Sequence, residues 1–257
     1  MPREYSFNKG HDTPLTFPFT QATMDNLGPT SLVSPRVGNA HGYANPNTPE
    51  EMHLEMEDVE RVRYEVNKNQ WPGWWLSKHG VDPVLSPIIK QTLRLSESGP
   101  KACANIVRMD HPFEIWDNVI EPWAHSQNIA WDVPAAHQGV TFVEQTLRRA
   151  QAHVIIAAAL DKSFDVKYYY GQPRPFEYSE YDEGLEFYPC PAHPEKPAGH
   201  GAFCGGGAKA FEQLFVPSAE QIQMVHTATK QFAMFRTFSG MHIASSNLLG
   251  WTIGYES

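Results

Sequence analysis

Between Pro134 and Asp161 apolar residues return at Val140, Val143, Leu147, Ala150, Val154, Ala157 and Leu160, a spacing that an α-helix gathers into one stripe. The stretch Val154 to Leu160 inside it is the longest apolar run and is expected to be a buried helical segment. A helix of this length must lay its stripe against other elements, so it commits the chain to layered packing around a core. Further helices are expected to follow the same logic. One begins at Thr48-Pro49-Glu50-Glu51, with Thr48 as N-cap and Pro49 in the first turn, and keeps Met52, Met56, Val59, Val62 and Tyr64 on one face as far as Asn67. Others are expected near 83–97 and 100–108, with a break at Ser96-Glu-Ser-Gly-Pro100, and from Gly199 to Leu214, Ala219 to Met234 and His242 to Gly254. Trp71-Pro-Gly-Trp74-Trp75 reads as a turn with aromatic anchors. Few segments alternate as strands do, so the expectation is a mainly α protein, a helical bundle with long loops.

Residues 1–47 are rich in Pro, Gly, Asn and Thr and show no sustained period, which suggests an extended N-terminal arm ahead of a single α-helical domain over 48–257. Ordering such an arm costs entropy unless it finds a surface, which favours a homo-oligomer. The formal net charge of −9 argues against a general nucleic-acid binder. No run approaches the length of a membrane span, and the opening Met-Pro-Arg-Glu-Tyr-Ser-Phe has no apolar leader core. A soluble protein is expected, its compartment open. Cys103, Cys190 and Cys204 show neither metal-ligand spacing nor a disulfide framework, and Cys204 is expected to be a small buried hydrophobe.

Against this acidic background three stretches concentrate the opposite charge. They are Lys167-Tyr-Tyr-Tyr-Gly-Gln-Pro-Arg174-Pro175, then Pro197-Ala198-Gly199-His200, then Arg236-Thr-Phe-Ser-Gly-Met-His242. They hold three cations, two imidazoles and a glycine amide, with no carboxylate inside the motifs, so the group they would surround is an anion. Arg174 and Arg236 each offer a planar fork to two oxygens, and Lys167 adds a point charge. Gly199 and His200 stand at the start of a helix, where free amides and the helix dipole favour negative charge. The Gly205-Gly206-Gly207 run weakens that helix, and close packing on another helix is the expected compensation.

The order and spacing resemble the superfamily of vanadium-dependent haloperoxidases, bacterial acid phosphatases and type 2 phosphatidic acid phosphatases. Lys167, Arg174, Pro175, Pro197, Gly199, His200, Arg236 and His242 match its three motifs. The resemblance implies a helical bundle of that superfamily's type. It also implies an oxyanion bound by Lys167, Arg174, Gly199, His200 and Arg236, with His242 as vanadium ligand, or as nucleophile toward phosphorus, and His200 as acid–base group. His193, followed by Pro194 and seven residues before His200, resembles the bromide-oxidising members, where a histidine there acts in catalysis. The cofactor implied is vanadate, the substrates hydrogen peroxide and bromide or iodide, with a small organic acceptor beyond them. Alternatives are a soluble acid phosphatase with a phosphohistidine intermediate and a non-catalytic oxyanion-binding protein. The chain departs from the pattern at Ala198 and Phe235, where the family has Ser, and at Ser246, where an Asp often supports the last histidine. Losing the hydroxyl at 198 removes a hydrogen bond of about 1.5–3 kcal/mol to an anion unless water replaces it. Asn247 or Asp132 is the expected stand-in for the missing Asp.

Overall fold

A computed structural model describes residues 47–94, 99–106, 111–133, 141–175 and 193–257. These are mainly helical, and among them an isolated bridge between Trp131 and Phe215 is the one strand-like pairing. The arm expected over 1–46 lies outside the described residues, as does most of the break expected at 96–100. No helix among the described residues is long and apolar enough to cross a membrane.

Helix α1, Pro49–Asn67, opens on a capping box: Thr48 Oγ1 accepts from the Glu51 amide while Glu51 reaches back to the Thr48 amide. It buries Met52, Met56, Val59, Val62 and Val66. Tyr64, expected on that face, is exposed; it follows Val62 by two positions, about 200° around the helix, and Val66 completes the stripe instead. Trp71 leads into the short α2, Gly73–Lys78, whose Trp75 is fully buried. Helix α3, Pro87–Leu93, starts later than expected because Ser86 caps it through the Ile88 amide. Helix α4, Pro100–Ile106, follows, and a π-turn, Trp116–Ile120, runs directly into α5, Glu121–Ser126.

Helix α6, Thr141–Tyr170, departs most from expectation. It continues nine residues past Asp161, which brings Lys167 into its last turn; residues 134–140 lie outside the described ones. Its buried side is Ala152, Ile156, Ala159, Ser163, Val166 and Lys167, whereas Val143, Leu147, Ala150, Val154 and Ala157 face outward. The stripe expected from the periodicity is mostly the exposed one, and the stripe that enters the core carries small residues and a lysine. The expectation of a wholly buried Val154–Leu160 segment is corrected accordingly.

Three helices surround the site. They are α7, Gly199–Leu214, α8, Ala219–Met234, and α9, Ala244–Glu256, with a 3-10 turn, Phe235–Thr237, closing α8. Helices α7 and α9 meet backbone to backbone. A methyl group on Gly201 or Gly205 would overlap carbonyl oxygens of α9, and one on Gly250 or Gly254 would overlap those of Ala198 and Ala202. Gly206 likewise admits α6 through Ala159, and Gly207 admits Ile120. The glycine run costs helix propensity and returns it as close packing.

Candidate anion-binding site

The site forms where α6 ends, α7 begins and the turn before α9 closes. Gly171, at φ +61, ends α6 with its amide on the Lys167 carbonyl, and the chain reverses so that Gln172 and Arg174 return toward the helix end. The segment 193–197 crosses above them, fixed by the Glu195 amide on the Gln172 carbonyl at 2.8 Å. From the other side the 3-10 turn presents Arg236, and Gly240, at φ +73, lets Met241 bond back to the Arg236 carbonyl. Thr237 Oγ1 then donates to the His242 carbonyl at 2.7 Å, and Asn247 Nδ2 donates to Thr237 Oγ1. His242 is thereby turned inward.

All three cations of the sequence motifs are buried here. Lys167 Nζ donates to the carbonyls of Pro194 and Glu195, both at 2.9 Å. Burial, and then Arg174, hold its pKa well below the ordinary lysine value, while Glu195 acts in the opposite direction. Arg174 binds two other segments at once. Its Nε donates to the His193 carbonyl at 3.1 Å and Nη1 to the Met241 carbonyl at 3.1 Å, and Nη2 lies 3.0 Å from His193 Nδ1. Nη1 also lies 3.4 Å from His242 Nε2.

The tautomers follow from chemistry. A guanidinium carries only donors, so His242 Nε2 accepts; His193 Nδ1 stands between Arg174 Nη2 at 3.0 Å and the Pro194 carbonyl at 3.2 Å, and its tautomer decides which of the two it bonds. His242 therefore keeps its proton on Nδ1 and donates it to Glu195 Oε1 at 2.9 Å. Glu195 is fully buried and also accepts from the Ile243 amide at 3.1 Å and Gln172 Nε2 at 3.3 Å. Burial pushes its pKa up to about 7, against the pull of Lys167 and Arg174. All three histidines stay neutral. Burial and then Arg174 depress His242, burial and then Arg236 depress His200, and burial followed by Lys167 and Arg174 pushes His193 down to about 2.

The structure thus brings together Lys167, Arg174, His193, Gly199, His200, Arg236 and His242. Ala198 is the N-cap residue of α7, fully buried, and gives that helix no side-chain cap. It is seated instead by its amide on the Ser246 carbonyl at 3.0 Å. The expected stand-ins for the missing Asp are corrected. Asp132 bonds through its amide to the Leu214 carbonyl, at the opposite end of α7 from His200. Asn247 props the turn through Thr237 and leaves the imidazole to another group. Glu195 fills that role, from two residues before the Pro197 motif; Ser246 Oγ donates to its carbonyl at 3.3 Å. Its sequence signal was an acidic residue between His193 and His200, in a stretch otherwise read for its histidines. Cys204 is buried and its thiol is pushed up by desolvation, as a structural cysteine should be.

Comparison with protein-family models, with characterised proteins and with solved structures finds no match for this chain.

Proposed function

We propose that this site holds a tetrahedral oxyanion, and that with vanadate bound the protein oxidises bromide or iodide with hydrogen peroxide. The observation that carries the reading is the His242–Glu195 pair. A neutral imidazole whose Nδ1–H is fixed on a buried carboxylate has its Nε2 lone pair aimed into the cationic cluster, as a metal ligand requires. At 3.4 Å the contact from Arg174 to that nitrogen is long, so an anion oxygen that draws the guanidinium releases Nε2 at low cost.

The donor set suits vanadate. Arg174, Arg236 and Lys167 would balance its negative charge, the first amides of α7 at Gly199 and His200 would add neutral donors, and His242 Nε2 would ligate. Vanadate, when bound, supplies the Lewis-acid activation of hydrogen peroxide toward halide. The protein's own part is positioning and proton handling. An anion among the cations offsets the charges that depress His200, so this imidazole gains proton affinity as the site fills and becomes an acid–base group. His193 touches Arg174, and its ring packs edge-on to Phe164 at 4.9 Å, which leaves it at the wall of the cluster where halide would approach.

The same His242–Glu195 pair suits phosphoryl transfer, with Nε2 as nucleophile and His200 as acid toward the leaving oxygen. One assay separates the two. Protein stripped of phosphate is titrated with orthovanadate and assayed for bromination of a diketone with peroxide and bromide, beside hydrolysis of an aryl phosphate. Saturable, vanadate-dependent bromination is expected. Hydrolysis alone would assign the site to phosphate esters, and binding without either activity would make it an oxyanion carrier.

A further inference from the structure

The outward stripe of α6 has no role in the site. Phe142, Val143, Leu147 and Val154 are 81%, 61%, 51% and 68% exposed, and Ala150 and Ala157 lie open between them. The positions 143, 147, 150, 154 and 157 alternate by four and three, which is the seam of a coiled coil. Single exposed apolar residues are ordinary, but five in register along about 21 Å of one helix are not.

The face is also short of charge. From Phe142 to Ala158 the ionic residues are Glu144, Arg148 and Arg149, and each is engaged within the chain. Arg148 pairs with Glu144 at 3.0 Å, and Arg149 reaches across to Glu121 at 2.8 Å. The positions flanking the seam are Glu144, Gln151 and Ala158 on one side and Thr146, His153 and Leu160 on the other; Glu144 is paired with Arg148 and His153 with Asp117, and along the seam itself Asp161 is the first charge. The outer face of α1 shows the contrast, with Glu50, Glu51, Glu57, Glu60 and Arg61 solvating it. Depletion of charge at the centre of an apolar patch marks an interface.

We infer that this seam pairs α6 with the α6 of a second copy of the chain. A heptad seam accepts a helix of its own length, knob into hole. Neither 1–46 nor 176–192 carries such a period in its sequence. Prolines at 2, 14, 18, 29, 35 and 46 interrupt the sequence before Asn47, and residues 176–192 scatter five carboxylates through their length. A second α6 supplies the matching period, the matching length and the same lack of charge. Ala150, at the middle of the seam, lets the two helices approach to an interaxial distance of about 8–10 Å. A seam this short stands at the small end of stable interfaces, so the dimer is reversible and concentration-dependent.

Sedimentation of the full chain, from dilute to ~100 μM, tests this together with Leu147→Glu/Val154→Glu. A monomer–dimer equilibrium is expected in the parent chain, weakened at least ~10-fold in the variant with helical circular dichroism unchanged. A parent chain that stays monomeric, or a dimer that the charges do not weaken, overturns the inference. A second readout stands even if those charges disturb folding. Ala150→Cys in a Cys190→Ser background, with Cys103 and Cys204 buried, should give a covalent dimer with a short bismaleimide. Cross-linking no greater than at the exposed C-cap of α1, Lys68→Cys, would overturn it equally.

Discussion

At the scale of single residues the proposed chemistry turns on Glu195 and His193. Glu195 fixes the Nδ1 side of His242, so Glu195→Gln should leave the fold intact and weaken vanadate binding by about 10–100-fold, measured by isothermal titration. Glu195→Asp, with a shorter reach, should recover part of that loss. His193 makes a prediction about acid. It is neutral in the folded protein down to about pH 2 and protonated in the unfolded chain below its ordinary value near 6.5. The folded state therefore binds fewer protons in that window, and this residue's contribution is intact above 6.5 and lost as pH falls. Its share approaches ~1.4 kcal/mol per pH unit, so His193→Phe should flatten the fall in urea stability between pH 6 and 4. An unchanged slope would mean that the imidazole charges inside the fold. The sequence showed the cations and histidines because their spacing is local. It hid Glu195 because a carboxylate acquires this role only when residues 195 and 242 meet across the turn.

Between elements, the decisive contact is α7 on α9. Gly250→Ala would drive a methyl into the Ala198 carbonyl, where the N-terminus of α7 is seated. The expected loss is about 1–3 kcal/mol in urea unfolding, with a larger fractional loss of anion affinity than Gly80→Ala, which strains an exposed turn at φ +71 outside the site. The helices themselves were readable: the capping box at Thr48, the span of α7 and that of α8 follow from local signals. The orientation of α6 was not, because both of its sides are apolar. The side that entered the core holds Ala152, Ala159 and Ser163, whose small size admits α7 closely, and Lys167, whose polarity argued for the surface. Burying a lysine becomes intelligible only with the carbonyls of Pro194 and Glu195 in place around its ammonium.

Across the whole molecule, the site gathers residues from 167 to 242 and joins them through Arg174, so a bound anion should stabilise the protein globally. At a vanadate concentration 100-fold above its dissociation constant the gain is about 2.7 kcal/mol, which for a chain of this size raises Tm by roughly 5–10 °C. Differential scanning calorimetry with and without vanadate checks this, and Arg174→Lys, which replaces a fork serving two segments by a point charge, should abolish most of the shift. The main-chain contact between α7 and α9 has one more consequence. His200 rides on the first turn of α7 and His242 on the turn that opens α9, and the two helices are held together by main-chain contact at Gly201, Gly205, Gly250 and Gly254. The gap between the imidazoles is set like the jaws of a fixed gauge. If the site holds the oxyanion proposed for it, selection by size would belong to the main chain, and should persist when the apolar side chains around it are exchanged.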